Sequence, residues 1–418
     1  MLNRLPSVLI KPSVHKMAMV FALQAAGMLL PLVSFPYLSR TLEPAAYGAF
    51  QFANSFGMYL QLIIGFGFDM SATRDIAQVG EDRQLRGRIL VGVLSAQILL
   101  ALVVTVPALA LGCFMPIFRQ WPCLLPLGIM AGLVQGFSLT WYFQGINRLP
   151  FASTVTLLAQ AICVALIITF VHRPADAPYC LVCSLVPNLV GNFLLWHIAR
   201  KSAQCPKIDL KYARETLSAG LSYFKNRAAN SFMVSISPIL VGVAASNEAV
   251  AYFTASSRVA NSLWMAINPL ITIAYPQIAH LRASNQPRAF GYSMWLTIVM
   301  TSWAVIIGIS CTLYGQYLLH ILAGNKFLPA SASFICLAWA LPATAINTAL
   351  SWFWLLPLKQ ENRLLCPIVI SGILNVVLGC ILSRSYGSTG MALAYLFSEV
   401  TKTIGISMVA LRMHHKMA

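Results

Sequence analysis

The chain has 418 residues, 58% of them hydrophobic and only 9% charged, with a formal net charge of +17. Soluble domains are about a quarter charged, so a soluble globular fold is excluded. The basic excess also lacks the clustered blocks that a nucleic-acid-binding face requires.

Met1 to Lys16 carries Arg4, Lys11 and Lys16, and the apolar run from Met17 to Tyr37 has no small-residue cleavage site. It is expected to be a retained first span, not a removed signal peptide. Apolar stretches near the roughly 20 residues that cross about 30 Å of hydrocarbon as helix then recur. They place twelve spans near 17–39, 45–68, 89–113, 122–143, 150–171, 178–199, 217–244, 250–275, 291–313, 329–356, 365–383 and 389–411. The fold class is an all-α polytopic membrane protein.

The longest polar connector, Arg200 to Glu215, is basic and separates residues 1–205 from 206–418, six expected spans on each side. Such a layout often reflects an internal repeat in transporters. Pro36 precedes a loop and Tyr47-Gly48-Ala49-Phe50, and Pro238 precedes a loop and Val250-Ala251-Tyr252-Phe253. The identities between these two stretches are few.

Charge placement sets the orientation. Nineteen of the 28 basic residues, among them Arg83, Arg86, Arg88, Arg200 and Lys201, fall in segments on the side of the N-terminus, and five (Arg40, Arg119, Arg173, Lys326 and Arg384) fall opposite. The positive-inside rule therefore predicts that both termini are cytoplasmic. The remaining four, Lys225, Arg227, Arg258 and Lys402, lie within expected spans, where a cation is costly unless it faces a bundle interior or an aqueous cavity. Together they are candidate cavity cations for an anionic substrate, although Lys225 and Arg227 are near enough to a helix end to snorkel to the interface.

Glu399 and Lys402 share a helix face at i, i+3 spacing. Glu399 is a candidate for coupling to a cation or proton; a buried pair that fixes helix packing is the alternative. Asp69, Arg74 and Asp75 cluster at the cytoplasmic end of the second span, as a solvated network or a cytoplasmic gate. Prolines inside spans (Pro187, Pro238, Pro269, Pro342 and Pro357) are either kinks of packing or hinges. Trp141, Tyr142, Trp264, Trp352 and Trp354 are either interfacial anchors or sugar-stacking platforms. Cys180-x-x-Cys183 lies in an apolar run with no second pair and reads as packing, and Cys113 and Cys123 flank an external loop that a disulfide could close. With no G-x-x-x-x-G-K-[ST] loop and few acids, uphill transport would need a proton or sodium gradient or a partner. No metal or other cofactor is expected.

Phe35-Pro36-Tyr37-Leu38-Ser39-Arg40-Thr41-Leu42 followed by Tyr47-Gly48 resembles the first external loop of the Wzx-type O-antigen and polysaccharide repeat-unit flippases. Gly67-Phe68-Asp69-Met70-Ser71-Ala72-Thr73 and Trp141-Tyr142-Phe143-Gln144-Gly145 are similar to that family's second and fourth span exits. Tyr252-Phe253-Thr254-Ala255, Asn268-Pro269 and Tyr275-Pro276 are similar to its eighth-span region, and Glu399 falls where members carry an acid. The resemblance implies two six-helix bundles around a central cavity, as in the multidrug/oligosaccharidyl-lipid/polysaccharide exporter superfamily. It implies a substrate, an undecaprenyl-diphosphate-linked oligosaccharide moved across the bacterial inner membrane, and partners in a polysaccharide polymerase and a chain-length regulator. Lys402 departs from the family pattern, which often has an apolar residue there. The rival readings are a peptidoglycan-precursor flippase, a drug/cation antiporter of the same superfamily, and a membrane glycan polymerase.

Overall fold

The computed structural model describes residues 14–204, 210–284, 286–358 and 361–417. Among these the chain is helical throughout, with no strand. The helices are α1 (Val14–Thr41), α2 (Pro44–Gly65), α3 (Phe68–Val79), α4 (Arg83–Phe114), α5 (Pro116–Gln120), α6 (Leu124–Gly136), α7 (Thr140–Gly145), α8 (Leu149–Phe170) and α9 (Ala177–Ser202). They continue as α10 (Leu210–Ala244), α11 (Asn247–Met265), α12 (Asn268–Ser284), α13 (Gln286–Ala323), α14 (Ser331–Ala349) and α15 (Leu365–Met417).

Seven helical segments among the described residues are long and apolar enough to cross a membrane: Arg83–Phe114, Leu124–Gly145, Leu149–Phe170, Pro174–Ser202, Gln286–Ala323, Asn325–Leu355 and Leu365–Met413. The last of these holds two antiparallel arms. Gly387, at φ +55°, reverses the chain, so that a Cβ on Gly405 would stand 2.9 Å from that of Pro367 and one on Gly379 would stand 2.9 Å from Met391 Sδ. α2 and α11 were also expected to span, yet they carry more polar residues. Both are shielded by neighbouring helices along most of their length, and a helix away from lipid need not be apolar.

Helix breaks recur along the chain. α2 ends at Phe66-Gly67 and α11 at Ala266-Ile267, while the two helices start just after Glu43 and Ser246, of which only Ser246 caps with its side chain. The spacing is 200 residues for the first pair (267 − 67) and 203 for the second (246 − 43), and Tyr47-Gly48 and Val250-Ala251 are likewise 203 apart. Each turn is built locally: Gly67 takes φ +75°, which a residue without Cβ adopts freely, and Ser246 Oγ accepts from the Ala249 amide. α4 begins on a similar cap, with Asp82 accepting from the Gln84 and Leu85 amides.

Without water, helices associate through close packing and interhelical hydrogen bonds. α2 and α6 meet along glycine: a Cβ on Gly57 would lie 2.5 Å from Gly128 O, and one on Gly132 would lie 2.5 Å from Gly57 O. Gln97 donates to Gly136 O at 2.9 Å and Asn192 to Val134 O at 2.6 Å, tying α4 and α9 to α6. Trp141, Tyr142 and Phe143 are fully buried under α3 and α8, so Trp141 and Tyr142 are core rather than the sugar platform considered above. Cys180 and Cys183 are buried free thiols, as packing requires; Cys113 and Cys123 are also free.

Gly132→Ala should overpack the α2–α6 contact, at a cost of about 1–3 kcal/mol, and lower the thermal midpoint of the purified chain in detergent. Gly191→Ala, whose new Cβ meets nothing nearer than 3.5 Å, should leave it unchanged. Equal midpoints for the two variants would remove glycine contact as the basis of this crossing.

Candidate functional site

Glu399 is 2% exposed and lies on the second arm of α15, surrounded by donors. Lys402 Nζ reaches its Oε1 at 2.5 Å. Asn347 Nδ2 donates to Oε2 at 2.9 Å and Thr344 Oγ1 to the same oxygen at 3.2 Å, both from α14. Tyr395 lies one turn earlier on the same arm of α15. A buried carboxylate is sustained only by such pairing and hydrogen bonding.

One of these partners, Thr344, faces a cavity of about 70 Å³. Thr344 and Tyr395 line it together with Ser237 of α10 and Ser257, Asn261 and Trp264 of α11. At a liquid volume of about 30 Å³ per water, it has room for about two. Ser237 Oγ lies 3.4 Å from Asn375 Oδ1, while Asn375 Nδ2 has no protein partner among the described residues. The Glu399 carboxylate thus stands one side chain away from a mainly apolar cavity with Ser237, Ser257, Asn261 and Thr344 on its wall, an arrangement that can hold water or a small cation.

The other candidates separate. Arg258 is half-buried on α11, over the Phe35 ring at 5.8 Å, and is absent from the cavity-lining face of Ser257, Asn261 and Trp264. The side chains of Lys225 and Arg227 lie outside the described residues. Lys402 is engaged by Glu399, so this pair adds no net charge. Asp69 is exposed on α3, and Arg74 and Asp75 form an exposed pair at 3.0 Å, of the kind worth about 0–1 kcal/mol. Arg74 also donates to the Tyr223 hydroxyl of α10 at 3.0 Å.

Two sets of contacts join residues 14–204 to those that follow. At the end bearing the α1–α2 and α10–α11 turns, α2 crosses α11, its counterpart at the 200-residue offset. Gly48 packs so closely on Asn247 and Ala251 that a Cβ would collide with the Asn247 carbonyl. Tyr47, fully buried, meets Phe327 edge-on at 5.6 Å, and its hydroxyl accepts from Gln51 at 2.6 Å. Arg40 donates to Ile321 O at 2.7 Å, and Asn247 donates to Gln120 Oε1 at 2.9 Å. At the other end, the first half of α10 leans on α3 and α4: Phe224 stacks on Phe66 at 4.4 Å, and Gly92 packs on Thr216. There α12 packs on α13 and on the 350–358 segment.

Residues 13–282 match the polysaccharide biosynthesis protein family. The chain belongs to that family. A relative from Shigella dysenteriae bearing the name "Putative O-antigen transporter" is 25% identical over 391 residues, covering 91% of this chain and 96% of its own. Among solved structures, the lipid II flippase MurJ in an inward closed conformation has a TM-score of 0.74 at 14% identity, over 94% of this chain and 87% of that one. An inward-facing multidrug resistance MATE transporter of the MOP superfamily has a TM-score of 0.68 at 14% identity, over 93% and 95% of the two chains. The fold is therefore that of the MOP transporters, and the chain is a multi-pass membrane protein.

Sequence reasoning singled out Glu399 and Lys402 but missed Thr344, Asn347, Tyr395, Ser257 and Asn261. A signal was present: Thr344 and Asn347 are polar at i, i+3 inside an apolar span, and Ser257 and Asn261 are polar at i, i+4. Lys402→Met should leave the Glu399 carboxylate buried without its cation and cost about 3–5 kcal/mol, read as a lower thermal midpoint. Adding Glu399→Gln should recover most of that loss; failure to recover it would mean that Lys402 stabilises the fold through something other than Glu399.

Proposed function

We propose that this protein is a flippase that moves undecaprenyl-diphosphate-linked oligosaccharide repeat units, destined for O-antigen, capsule or exopolysaccharide, across the bacterial inner membrane. Two six-helix bundles, residues 1–205 and 206–418, twelve spans in all with both termini cytoplasmic, would rock about a central cavity. The observation that carries the reading is the α2–α11 crossing at Gly48, the meeting of two counterpart helices at one end of the molecule. Under the positive-inside orientation that end is periplasmic, so its closure corresponds to a state open toward the cytoplasm. The family membership and the relative's name supply the substrate class.

In this scheme Arg258, with Lys225 and Arg227, attracts the diphosphate and any acidic sugars, because Coulomb attraction strengthens where water is limited. Lys402 is held by Glu399 and enters substrate binding only when that pair opens. Glu399 couples the cycle to a proton or sodium gradient through the cavity lined by Thr344 and Tyr395. Arg74, with Asp69 and Asp75, gates the cytoplasmic end through its contact with Tyr223. A polysaccharide polymerase and a chain-length regulator would act on the delivered units. No chemical step is assigned to the chain, which acts as a transporter.

Depletion of the protein in its host should accumulate unpolymerised lipid-linked units in the cytoplasmic leaflet and abolish surface polysaccharide. Units that reach the periplasmic face would point instead to a polymerase; unchanged pools with altered drug resistance would point to an antiporter; and accumulation of peptidoglycan precursor would make that lipid the substrate. In the complemented strain Arg258→Ala should reduce export far more than Arg258→Lys, and wild-type export by both would remove Arg258 from anion binding. Gly48→Val should prevent closure of the α2–α11 crossing and reduce export without loss of membrane-inserted protein. Wild-type export by that variant would mean that the crossing need not close during transport.

A further inference from the structure

A second concavity lies within residues 14–204, and it shares no lining residue with the cavity beside Glu399. It is a groove of about 660 Å³ between α4, α6 and α9, lined by Leu94, Ile98, Phe137, Phe193, Trp196 and Arg200 among others. Ile98 and Phe193 are exposed along it, so it opens where lipid surrounds the protein. Its polar end is distinct. The exposed Arg200 guanidinium sits over the Trp196 ring at 5.3 Å, and the Gln204 amide donates to Arg83 O at 2.9 Å, which brings the basic start of α4 to the same end. Lys201 is exposed beside it, while the neighbouring acid Asp82 is occupied in capping α4.

From this geometry we propose that the groove is a binding site for an anionic phospholipid of the leaflet on the Arg200 side, its phosphate on Arg200 and one acyl chain lying along Trp196 and Phe193 toward Ile98. Length selects this occupant. From Arg200 to Leu189, the far lining residue on α9, is eleven residues, or roughly 16 Å of helix, close to half of a hydrocarbon core about 30 Å thick. The groove is one leaflet deep, which suits an acyl chain and is too short for a long polyprenyl tail. Charge selects the headgroup, since a guanidinium stacked on an indole keeps its donors free for a phosphate oxygen. Naming the leaflet cytoplasmic rests on the orientation proposed above; the site itself does not.

The test uses the full chain in phosphatidylcholine vesicles that contain a small, equal fraction of either dibrominated phosphatidylglycerol or dibrominated phosphatidylcholine. The fluorescence of Trp196 is the difference between the wild type and Trp196→Phe. It should be quenched with about a fivefold preference for the phosphatidylglycerol, the factor matching about 1 kcal/mol for a basic residue near an anionic lipid. Arg200→Gln should abolish the preference and Arg200→Lys should retain part of it. Equal quenching by the two lipids in the wild type would overturn the proposal without reference to any variant. So would a preference that survives Arg200→Gln, or displacement by undecaprenyl phosphate at a lower mole fraction than by unbrominated phosphatidylglycerol, which would give the groove to the polyprenyl lipid. Selective binding in a chain that moves no lipid-linked glycan would uphold this site while refuting the flippase reading.

Discussion

Peptide groups in hydrocarbon have no water to bond with, so every segment that crosses must satisfy itself as helix, and helices already in lipid gain little from hiding apolar surface against one another. Association then depends on how closely backbones approach and on which polar side chains reach across. Both devices recur in this molecule. Glycines at 57, 128 and 132 bring α2 onto α6, and Gly48 brings α2 onto α11. Gln97, Asn192 and Asn347 add hydrogen bonds where the approach leaves room. The polar character of α2 and α11, at odds with the average span, follows from their position: surrounded by protein, they are free to carry the groups that contact between the halves requires.

The same economy shapes the buried charge. An isolated carboxylate at the position of Glu399 would cost several kcal/mol, yet it is met by an ammonium, an amide and a hydroxyl, and the hydroxyl's residue, Thr344, opens onto a small cavity. The network is thus a stabilising knot at rest and a set of groups that a change of protonation would rearrange. Arg258 stands on α11 against the Phe35 ring, off the face of that helix that lines the cavity.

How much of this was legible beforehand differs by level. The helical segments were readable from apolar run lengths, because the thickness of hydrocarbon sets a number of residues. Glu399 and Lys402 were readable as a pair, since i, i+3 spacing is a property of the helix alone. The repeat suggested by sequence was faint in residue identity, and helix breaks at Gly67 and Ile267 fall at a similar spacing, although only the first takes positive φ. Trp141 reads as an anchor or a platform in sequence, but its burial depends on α3 and α8, which are distant in the chain.

The sequence by itself determined that the chain lives in a membrane and broadly where its apolar helices run; both follow from transfer energies that act residue by residue. The tertiary structure alone decided that Arg258 packs on the Phe35 ring, off the face of α11 that lines the cavity. It also decided that the first half of α10 leans on helices from the preceding half, and that α2 and α11 close on each other at Gly48. Those outcomes depend on which helix faces meet, and a meeting of faces is set by pairwise distances between residues hundreds of positions apart, which no local pattern encodes.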